Sequence, residues 1–357
     1  MNAILDSDDI EALAVGAWIL GTGGGGSPYL GLLNIRQLYA EGHRVSLMSP
    51  HDLHDEDWVA VVSNMGAPLV GQERLADSRN VARAVRMQEE YHGWKFRAVM
   101  SLEIGGNNAI QPLMAAAHLG LPVVDADTMG RAYPEAQMTS VAVGELRPYP
   151  CALYDPRGIE AIVTKVPSWR WMERASRKIC VEMGSIAATC KAPRTGREVK
   201  EWGIHFTVSK AIAIGRRVRE AQRRHEDPIA AILDEGGGKL LFRGKVVDVE
   251  RRTTEGFLRG RAVIDGLDDD RGGRLELAFQ NEWVVAWRDG EPLAMSPDLI
   301  CVLDSVSGNA FGSETIRYGM RATVIALPAP AVFLTPKGLA HVGPRAFGYD
   351  LDFRSVF

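Results

Sequence analysis

The sequence has few cysteines, little net charge and no long apolar run. Its four cysteines are scattered and form no CxxC pair, which excludes a disulfide scaffold or a zinc finger and is typical of a reduced, cytoplasmic protein. A net charge of −4 offers no basic surface for nucleic acid or an anionic membrane. No stretch approaches the roughly 18–20 apolar residues of a membrane span, and the acidic N-terminus is unlike a signal peptide. We expect a cytoplasmic protein that binds neither nucleic acid nor membrane, and the sequence leaves a homo-oligomer open.

The sequence also lacks the HExxH, GxSxG, SxxK and Walker motifs. It does contain "GTGGGGSPYLG", residues 21–31, with six glycines in eleven residues. A dinucleotide loop needs a strand before its glycines, whereas residues 8–20 have a helical period, and no GK[ST] closes the run. We therefore expect no nucleotide. The run either brings the bare amides of Gly23, Gly24 and Gly25 against a substrate or permits a tight helix crossing.

The pattern of apolar residues changes along the 357-residue chain. Strands and helices alternate in the first 150 residues, which predicts an α/β domain with a mainly parallel sheet. A mainly helical stretch follows, and from Gly238 onward short β-rich segments predict an antiparallel unit. We expect an α+β protein in which residues 1–167 form the α/β domain, with the glycine-rich turn and a carboxylate cluster. Residues 168–357 form a helical connection and a β-rich domain, and a small-molecule cleft lies between the two units.

Polar side chains follow three of the predicted strands. Ligands bind at the carboxyl ends of strands in an open parallel sheet, so these residues are candidates for a site. The segments are "VVSNMGAP", "SLEIGGNN" and "VVDADTMGRAYPEAQ", and the candidates in them are Asn64, Glu103, Asn107, Asn108, Asp125, Asp127, Arg131 and Glu135. Asparagine after a strand is also a common helix N-cap, which is the alternative for Asn64 and Asn108.

The carboxylates in these segments are the stronger candidates. Asp125 and Asp127 alternate and point to the same side if the strand continues that far, and Glu103 ends a neighbouring strand. Like charges brought together need a cation, a shared proton or a neutralising group such as Arg131. The cluster therefore predicts a functional centre, with a structural cluster neutralised by Arg131 as the alternative.

Seven segments in a fixed order resemble the S-methyl thiohydantoin desulfurase family. They are "GTGGGG", "MGAP", "EIGGNN", "DADTMGRAYPE", "FQNEW", "SPDLI" and "GPRAFGYD", between Gly21 and Asp350. The resemblance implies zinc-dependent hydrolysis of a five-membered ring. Water replaces the sulfur substituent on the carbon between two ring nitrogens, and methanethiol leaves.

The resemblance also implies roles for the candidate site residues. Glu103, Asp125 and Asp127 become the candidate zinc ligands, because carboxylates can ligate zinc and a bound metal activates water. Arg131 would pair with a substrate carboxylate or orient an aspartate, and Glu135 would carry a proton. Zinc usually takes nitrogen or sulfur ligands as well, which leaves open whether His205, His341 or Cys190 joins the site.

A second function stays open beside hydrolysis. The chain could be a non-catalytic ligand-binding or accessory subunit of a hydantoinase- or oxoprolinase-type system, in which the glycines and carboxylates bind but do not react. A nucleotide-dependent enzyme is disfavoured by the unsuitable glycine run.

Overall fold

The computed structural model describes residues 3–66, 70, 77–254 and 256–357. Ala67 and Pro68 of the "MGAP" segment lie outside the described residues. The helices are α1 Ser7–Leu20, α2 Tyr29–Ala40, α3 Arg79–His92, α4 Gln111–Leu119, α5 Ser140–Val143, α6 Trp169–Glu182, α7 Gly196–Trp202, α8 Thr207–Arg224, α9 Pro228–Gly236 and α10 Pro336–Val342.

The strands fall into two sets along the chain. The first set is β1 Ala3–Ile4, β2 Ser46–Met48, β3 Trp58–Gly66, β4 Ala98–Ser101, β5 Val123–Val124, β6 Ala126–Asp127, β7 Cys151–Asp155, β8 Ile159–Val163, β9 Ile186–Cys190, β10 Arg194–Thr195 and β11 Ile204–His205. The second set is β12 Lys239–Thr254, β13 Phe257–Gly266, β14 Arg274–Gln280, β15 Glu282–Arg288, β16 Glu291–Met295, β17 Leu299–Asp304 and β18 Arg321–Leu327.

The first sheet is mixed, with strand order β1-β2-β5-β4-β3-β9-β7-β8, and β10 also pairs with β3. Strands β2, β5, β4 and β3 are parallel to one another. The outer pairs, including β3 with β9, are antiparallel. The predicted α/β domain is confirmed. Its parallel strands are the ones whose carboxyl ends carry the predicted polar segments.

This sheet extends beyond residue 165, because β9 inserts between β3 and β7. The stretch expected to be mainly helical therefore contains α6 and then a buried strand, "IAATC". Ser168 caps the N-terminus of α6, because its side chain accepts from the Trp171 N–H. Residues from the second half of the chain thus complete the first sheet and, with it, the site.

The predicted β-rich C-terminal unit is also confirmed. Seven antiparallel strands form one sheet in the order β16-β15-β14-β13-β12-β18-β17. Leu275, Leu277 and Phe279 alternate along β14 toward a core that contains Trp283, which is fully buried. Asn281, between β14 and β15, and Glu282, the first residue of β15, lie toward the first domain.

One of the clusters of buried apolar side chains spans both domains. Helix α1 packs against α8, and Leu13, Ile212 and Cys301 belong to the same cluster of buried side chains. All four cysteines are buried thiols. Within the described ranges, no helix combines the length and apolar character that crossing a bilayer requires.

Candidate functional site

A cleft of about 470 Å³ lies where the carboxyl ends of β3 and β4 face the turn between β14 and β15. This volume suits a small molecule. Six of the predicted site residues line it: Gly25, Asn64, Glu103, Asn107, Asn108 and Glu135. Several polar residues that the sequence did not single out line it too, among them Tyr133, Glu173, Lys191, Asn281 and Glu282.

Glu103 is the best-supported predicted residue in the cleft. It is 6% exposed, and its carboxylate accepts hydrogen bonds from the Asn108 side-chain amide and, at 3.1 Å, from the Tyr133 N–H. Burial raises the pKa of Glu103 to about 7, while these two donors and the Lys191 ammonium act in the opposite direction. A carboxyl group with a pKa near 7 can give and take protons at neutral pH.

The asparagines hold the cleft in shape. The Asn64 N–H donates to Asn108 Oδ1 at 2.8 Å, so the Asn108 amide must turn its NH₂ group toward Glu103. Asn108 therefore orients Glu103 and is not a helix N-cap. Asn107 lies in a short 3₁₀ turn, Gly106–Ala109, and its buried Oδ1 has no hydrogen-bond partner among the described residues. This oxygen packs against Gly31, another residue that lines the cleft.

The glycine run allows backbone to pack closely against both domains. A Cβ atom on Gly24 would overlap the Glu282 carboxyl group, and one on Gly25, whose φ is +75°, would overlap the Gly105 carbonyl. Gly23 packs in the same way on the Trp283 indole. Gly25 lines the cleft, whereas Gly23 and Gly24 support it from behind.

Asp125 does not join Glu103 and Asp127. The predicted strand breaks at Asp125, between β5 and β6, and β6 pairs with β11 in a separate two-stranded sheet. The alternation that would have placed both carboxylates on one side therefore does not hold. Asp125 instead accepts from the Ser209 N–H at 3.0 Å and from Ser209 Oγ at 2.5 Å, in the first turn of α8.

Asp127 is fully buried beneath the cleft rather than on it. One of its oxygens accepts from the N–H groups of Ile104 and Gly130, both at 2.8 Å, and of Met129 at 3.2 Å. Burial raises the pKa of Asp127 to about 7, and these donors oppose the shift. The geometry gives Asp127 the role of joining its own segment, "DADTMG", which folds around its carboxyl group, to the backbone at Ile104.

Replacing Asp127 with asparagine is expected to change how stability depends on pH. An amide oxygen can accept from the same three N–H groups. Because the folded-state pKa of about 7 lies above the unfolded value, the wild type has its full stability from this group below about pH 4 and loses it as the pH rises through 7. Urea unfolding should show the free energy of unfolding of Asp127→Asn gaining on that of the wild type between about pH 4 and pH 7, by about 1.4 kcal/mol per unit of pKa difference removed.

Asp55→Asn is the control for this measurement. The Asp55 carboxylate is exposed and pairs with Lys200, which lowers its pKa, so no gain is expected over the same pH range. Loss of bound metal from Asp127→Asn, without any pH-dependent gain, would contradict the structural role and make Asp127 a metal ligand.

Arg131 lies between the two domains and not in the cleft. It is 1% exposed and donates to Thr22 Oγ1 at 2.6 Å and to the carbonyls of Trp283, Pro297 and Asp298 at 3.2–3.4 Å. None of these acceptors is an aspartate carboxylate. The guanidinium therefore joins the glycine-rich turn to the C-terminal sheet, rather than binding a substrate carboxylate or orienting Asp125 or Asp127.

Glu135 lies at the rim of the cleft. Its carboxylate accepts from the side-chain amides of Gln137 at 2.5 Å and Gln280 at 3.4 Å. Next to it, Glu173 accepts from the Ala136 N–H and pairs with Arg177 at 2.6 Å. These contacts tie the "AYPEAQ" segment to α6 and leave Glu135 within reach of a bound ligand.

Two buried charged residues that the sequence analysis did not single out, Lys191 and Glu282, also line the cleft. Lys191 directly follows β9 and is only 4% exposed, and its ammonium lowers the pKa of Glu103. Glu282, 2% exposed, enters from β15. Signals for both were present, because "TCKAP" ends a buried strand and "FQNEW" is one of the family segments.

The predicted metal ligands do not converge in this geometry. Asp125 and Asp127 have separate partners, and neither lines the cleft with Glu103. Across the described part of the chain, no group of three or more His, Cys, Asp or Glu side chains is placed to hold a metal ion. His205 contacts the Val199 carbonyl at 3.1 Å, His341 the Gln137 carbonyl at 2.6 Å, and Cys190 is buried in the core. These residues do not fit a zinc centre.

The fold and the cleft define a two-domain α+β protein with a buried-carboxyl site at the domain boundary. Residues 8–165 match the family model described as S-Me-THD-like, N-terminal domain, and residues 167–356 match S-Me-THD-like, C-terminal domain. The chain belongs to this family, in agreement with the resemblance to S-methyl thiohydantoin desulfurases.

Curated relatives and a solved structure are similar to the chain. It is 25% identical over 254 residues to the 5-oxoprolinase A-subunit of Chloroflexus aggregans, which covers 64% of the chain and 94% of the relative. It is 26% identical over 254 residues to that of Chloroflexus aurantiacus, covering 64% and 93%. A crystal structure of a protein from Chromobacterium violaceum has a TM-score of 0.82 and 24% identity over 99% of the chain and 100% of that protein, which shows a shared fold.

Proposed function

We propose that this protein hydrolyses a small cyclic amide or thiohydantoin-like ring, as S-methyl thiohydantoin desulfurases do. Family membership and the relatives named for 5-oxoprolinase support a role in hydantoinase- or oxoprolinase-type chemistry. The observation that carries the proposal is Glu103, a buried carboxyl group with a pKa of about 7 at the floor of a small cleft. Perturbed carboxyls of this kind concentrate at catalytic sites.

In the proposed reaction, water attacks the ring carbon between the two nitrogens. Ionised Glu103 takes a proton from that water, and its pKa of about 7 suits a general base at neutral pH. Asn108 and the Tyr133 N–H fix the carboxylate in one orientation. Lys191 places a positive charge at the cleft, where it stabilises the negative charge that develops on the ring as water attacks.

Binding of the ring uses the polar lining of the same cleft. Asn107 Oδ1 accepts from a ring N–H, which satisfies a buried oxygen that has no partner among the described residues. The Gly25 backbone lies against the ligand, and Glu135 lies at the rim. The ligand class is therefore a small ring bearing at least one N–H group.

A divalent ion has no step in this mechanism. A bound metal would supply water of lowered pKa, but the carboxylates expected to hold it do not converge within the described ranges. Zinc stays a sequence-based prediction, which elemental analysis of protein purified without chelator tests independently of activity.

The second candidate function is that of an accessory subunit, which the relatives' names favour because each is called a subunit. In that case the cleft binds a ring and the reaction needs another chain. The two functions differ in what the isolated chain does.

The purified chain is expected to release methanethiol from an S-methyl thiohydantoin, detected with a thiol reagent, and to leave a hydantoin. A thermal shift assay with the hydantoin product measures binding separately from the reaction. Binding without methanethiol release would contradict the hydrolase and support the accessory role. If no compound of a panel that includes 5-oxoproline is bound or hydrolysed, both the hydrolase and the accessory function are contradicted.

A further inference from the structure

A second carboxyl group, Glu282, faces the cleft with an unpaired oxygen. It is 2% exposed, and its buried Oε2 has no hydrogen-bond partner in the described part of the chain. Its carboxyl group lies against Gly24, where no Cβ atom could fit. A buried polar atom without a partner costs about 1–3 kcal/mol, so a ligand that engages it gains what the free protein lacks.

The segment that carries Glu282 is held rigidly. Asn281, with φ of +58°, exchanges hydrogen bonds with Leu258 at 2.7 and 2.9 Å, and its carbonyl accepts from Ser313 Oγ. The Trp283 N–H donates to the Thr22 carbonyl at 2.8 Å. These contacts hold Glu282 beside the glycine-rich turn, as the positioning of a catalytic group requires.

The charged groups that face Glu282 favour its protonated form. Burial is the largest cause that raises its pKa well above the usual value, and the Glu103 and Glu314 carboxyls act in the same direction. Arg131 is the charge that opposes them. Glu103 and Glu282 therefore differ in protonation state, because the negative charge of ionised Glu103 disfavours a second negative charge nearby.

We propose that Glu282 is the catalytic general acid that works opposite Glu103 on the bound ring. This assignment rests on the proposed function, in which Glu103 is the base. Many enzymes use two carboxyl groups for acid–base catalysis at a single pH. One is protonated and donates a proton, and the other is ionised and accepts one.

The proton transfers balance over one turnover. As the water oxygen bonds to the ring carbon, one water proton moves to Glu103 and the Glu282 proton moves to the adjacent ring nitrogen. When the carbon–sulfur bond breaks, the new hydroxyl returns its proton to Glu282 as the carbonyl forms. Glu103 gives its proton to the departing sulfur, so methanethiol leaves and both groups regain their starting states.

The test is Glu282→Gln, which keeps the size of the side chain and removes the acid. The expected result is a fall in kcat of about 10²–10⁴-fold. The pH profile should also change, because the wild-type rate falls at high pH as Glu282 loses its proton, and the variant should lack that fall. Glu282→Asp, which keeps an acid, should recover part of the rate. A purely structural residue would not remove one limb of the profile.

Asp298→Asn is the matched control. Asp298 is also a buried carboxyl with a raised pKa and an oxygen without a partner among the described residues, but it does not line the cleft. Its activity is expected to stay within about threefold of the wild type, since it lies outside the reach of the transferred protons.

An infrared difference spectrum adds a readout that needs no substrate. Wild type minus Glu282→Gln at neutral pH should contain the band of a protonated carboxyl group, and its absence would overturn the proposal. An active wild type with an equally active Glu282→Gln would overturn the role of Glu282 alone. A wild type inactive on every ring tested would overturn the proposed function, and the catalytic role with it.

Discussion

Glu103→Gln is expected to lower kcat/KM for ring hydrolysis by about 10²–10⁴-fold, the usual contribution of a general base. The loss has two physical causes. A glutamine cannot take a proton from water, and its NH₂ group must face either the Asn108 amide or the Tyr133 N–H, both of which are donors. Asn108 cannot rotate to relieve the conflict, because the Asn64 N–H holds its oxygen.

The pH dependence makes this prediction sharper. Only ionised Glu103 acts as a base, so wild-type kcat/KM should rise about tenfold per pH unit below its pKa of about 7 and stay level above it until Glu282 loses its proton at high pH. That acidic limb should be missing from the residual activity of Glu103→Gln. Substrate binding, measured separately, should weaken far less than kcat falls.

The control for Glu103→Gln is Glu89→Gln. Glu89 is as deeply buried as Glu103, and it too accepts from a backbone N–H, that of Phe96, and from a side-chain donor, Lys95. It lies on α3 outside the cleft lining, so its activity should equal that of the wild type. Equal activity losses in both variants would mean that any buried glutamate tolerates amidation poorly, and the base would have to be sought elsewhere.

Much of the architecture could be predicted from the sequence because its signals are local. Helical periodicity over residues 8–20, for example, predicted α1, and the short β-rich segments from Gly238 onward predicted the antiparallel second sheet. The end-of-strand rule placed Asn64, Glu103, Asn107 and Asn108 on one cleft, because β3 and β4 are parallel neighbours.

The parts that the sequence could not predict depend on distant contacts. Whether a strand continues through "VVDAD" is decided by β11, which draws Asp127 away from the first sheet, and by Ser209, which holds Asp125. Lys191 reaches the cleft only because β9 inserts beside β3. Local periodicity contains no information on these pairings, and so the expected cluster of three carboxylates was not the arrangement that formed.

The site also depends on both domains together. Glu103 and Lys191 come from the first sheet, whereas Glu282 comes from the second, on the turn that packs against the glycine run. Anything that loosens the contact between the domains therefore separates the acid from the base. The glycine run fits this requirement, because its missing side chains let the two units approach closely enough for Glu282 to enter the cleft.

Arg131→Met is accordingly expected to destabilise the protein more than most substitutions, by about 3 kcal/mol or more. It removes the donors for Thr22 Oγ1 and for the carbonyls of Trp283, Pro297 and Asp298, while those acceptors stay buried. Arg131→Lys keeps the charge but loses the planar, five-donor geometry, so it should fall between methionine and the wild type. Urea unfolding measures the free energy of unfolding of the wild type, Arg131→Met and Arg131→Lys.

Arg288→Met provides the comparison that isolates burial. Arg288 is half-exposed and pairs with Asp270 at 3.0 Å, an interaction expected to contribute less than about 1 kcal/mol. If Arg131→Met does not fold, the free energy of unfolding of Arg131→Lys can still be compared with those of the wild type and Arg288→Met. A loss below about 1 kcal/mol for Arg131→Met would contradict a structural role at the domain boundary. A normal stability combined with a large rise in KM would return Arg131 to the substrate-binding role that the sequence suggested.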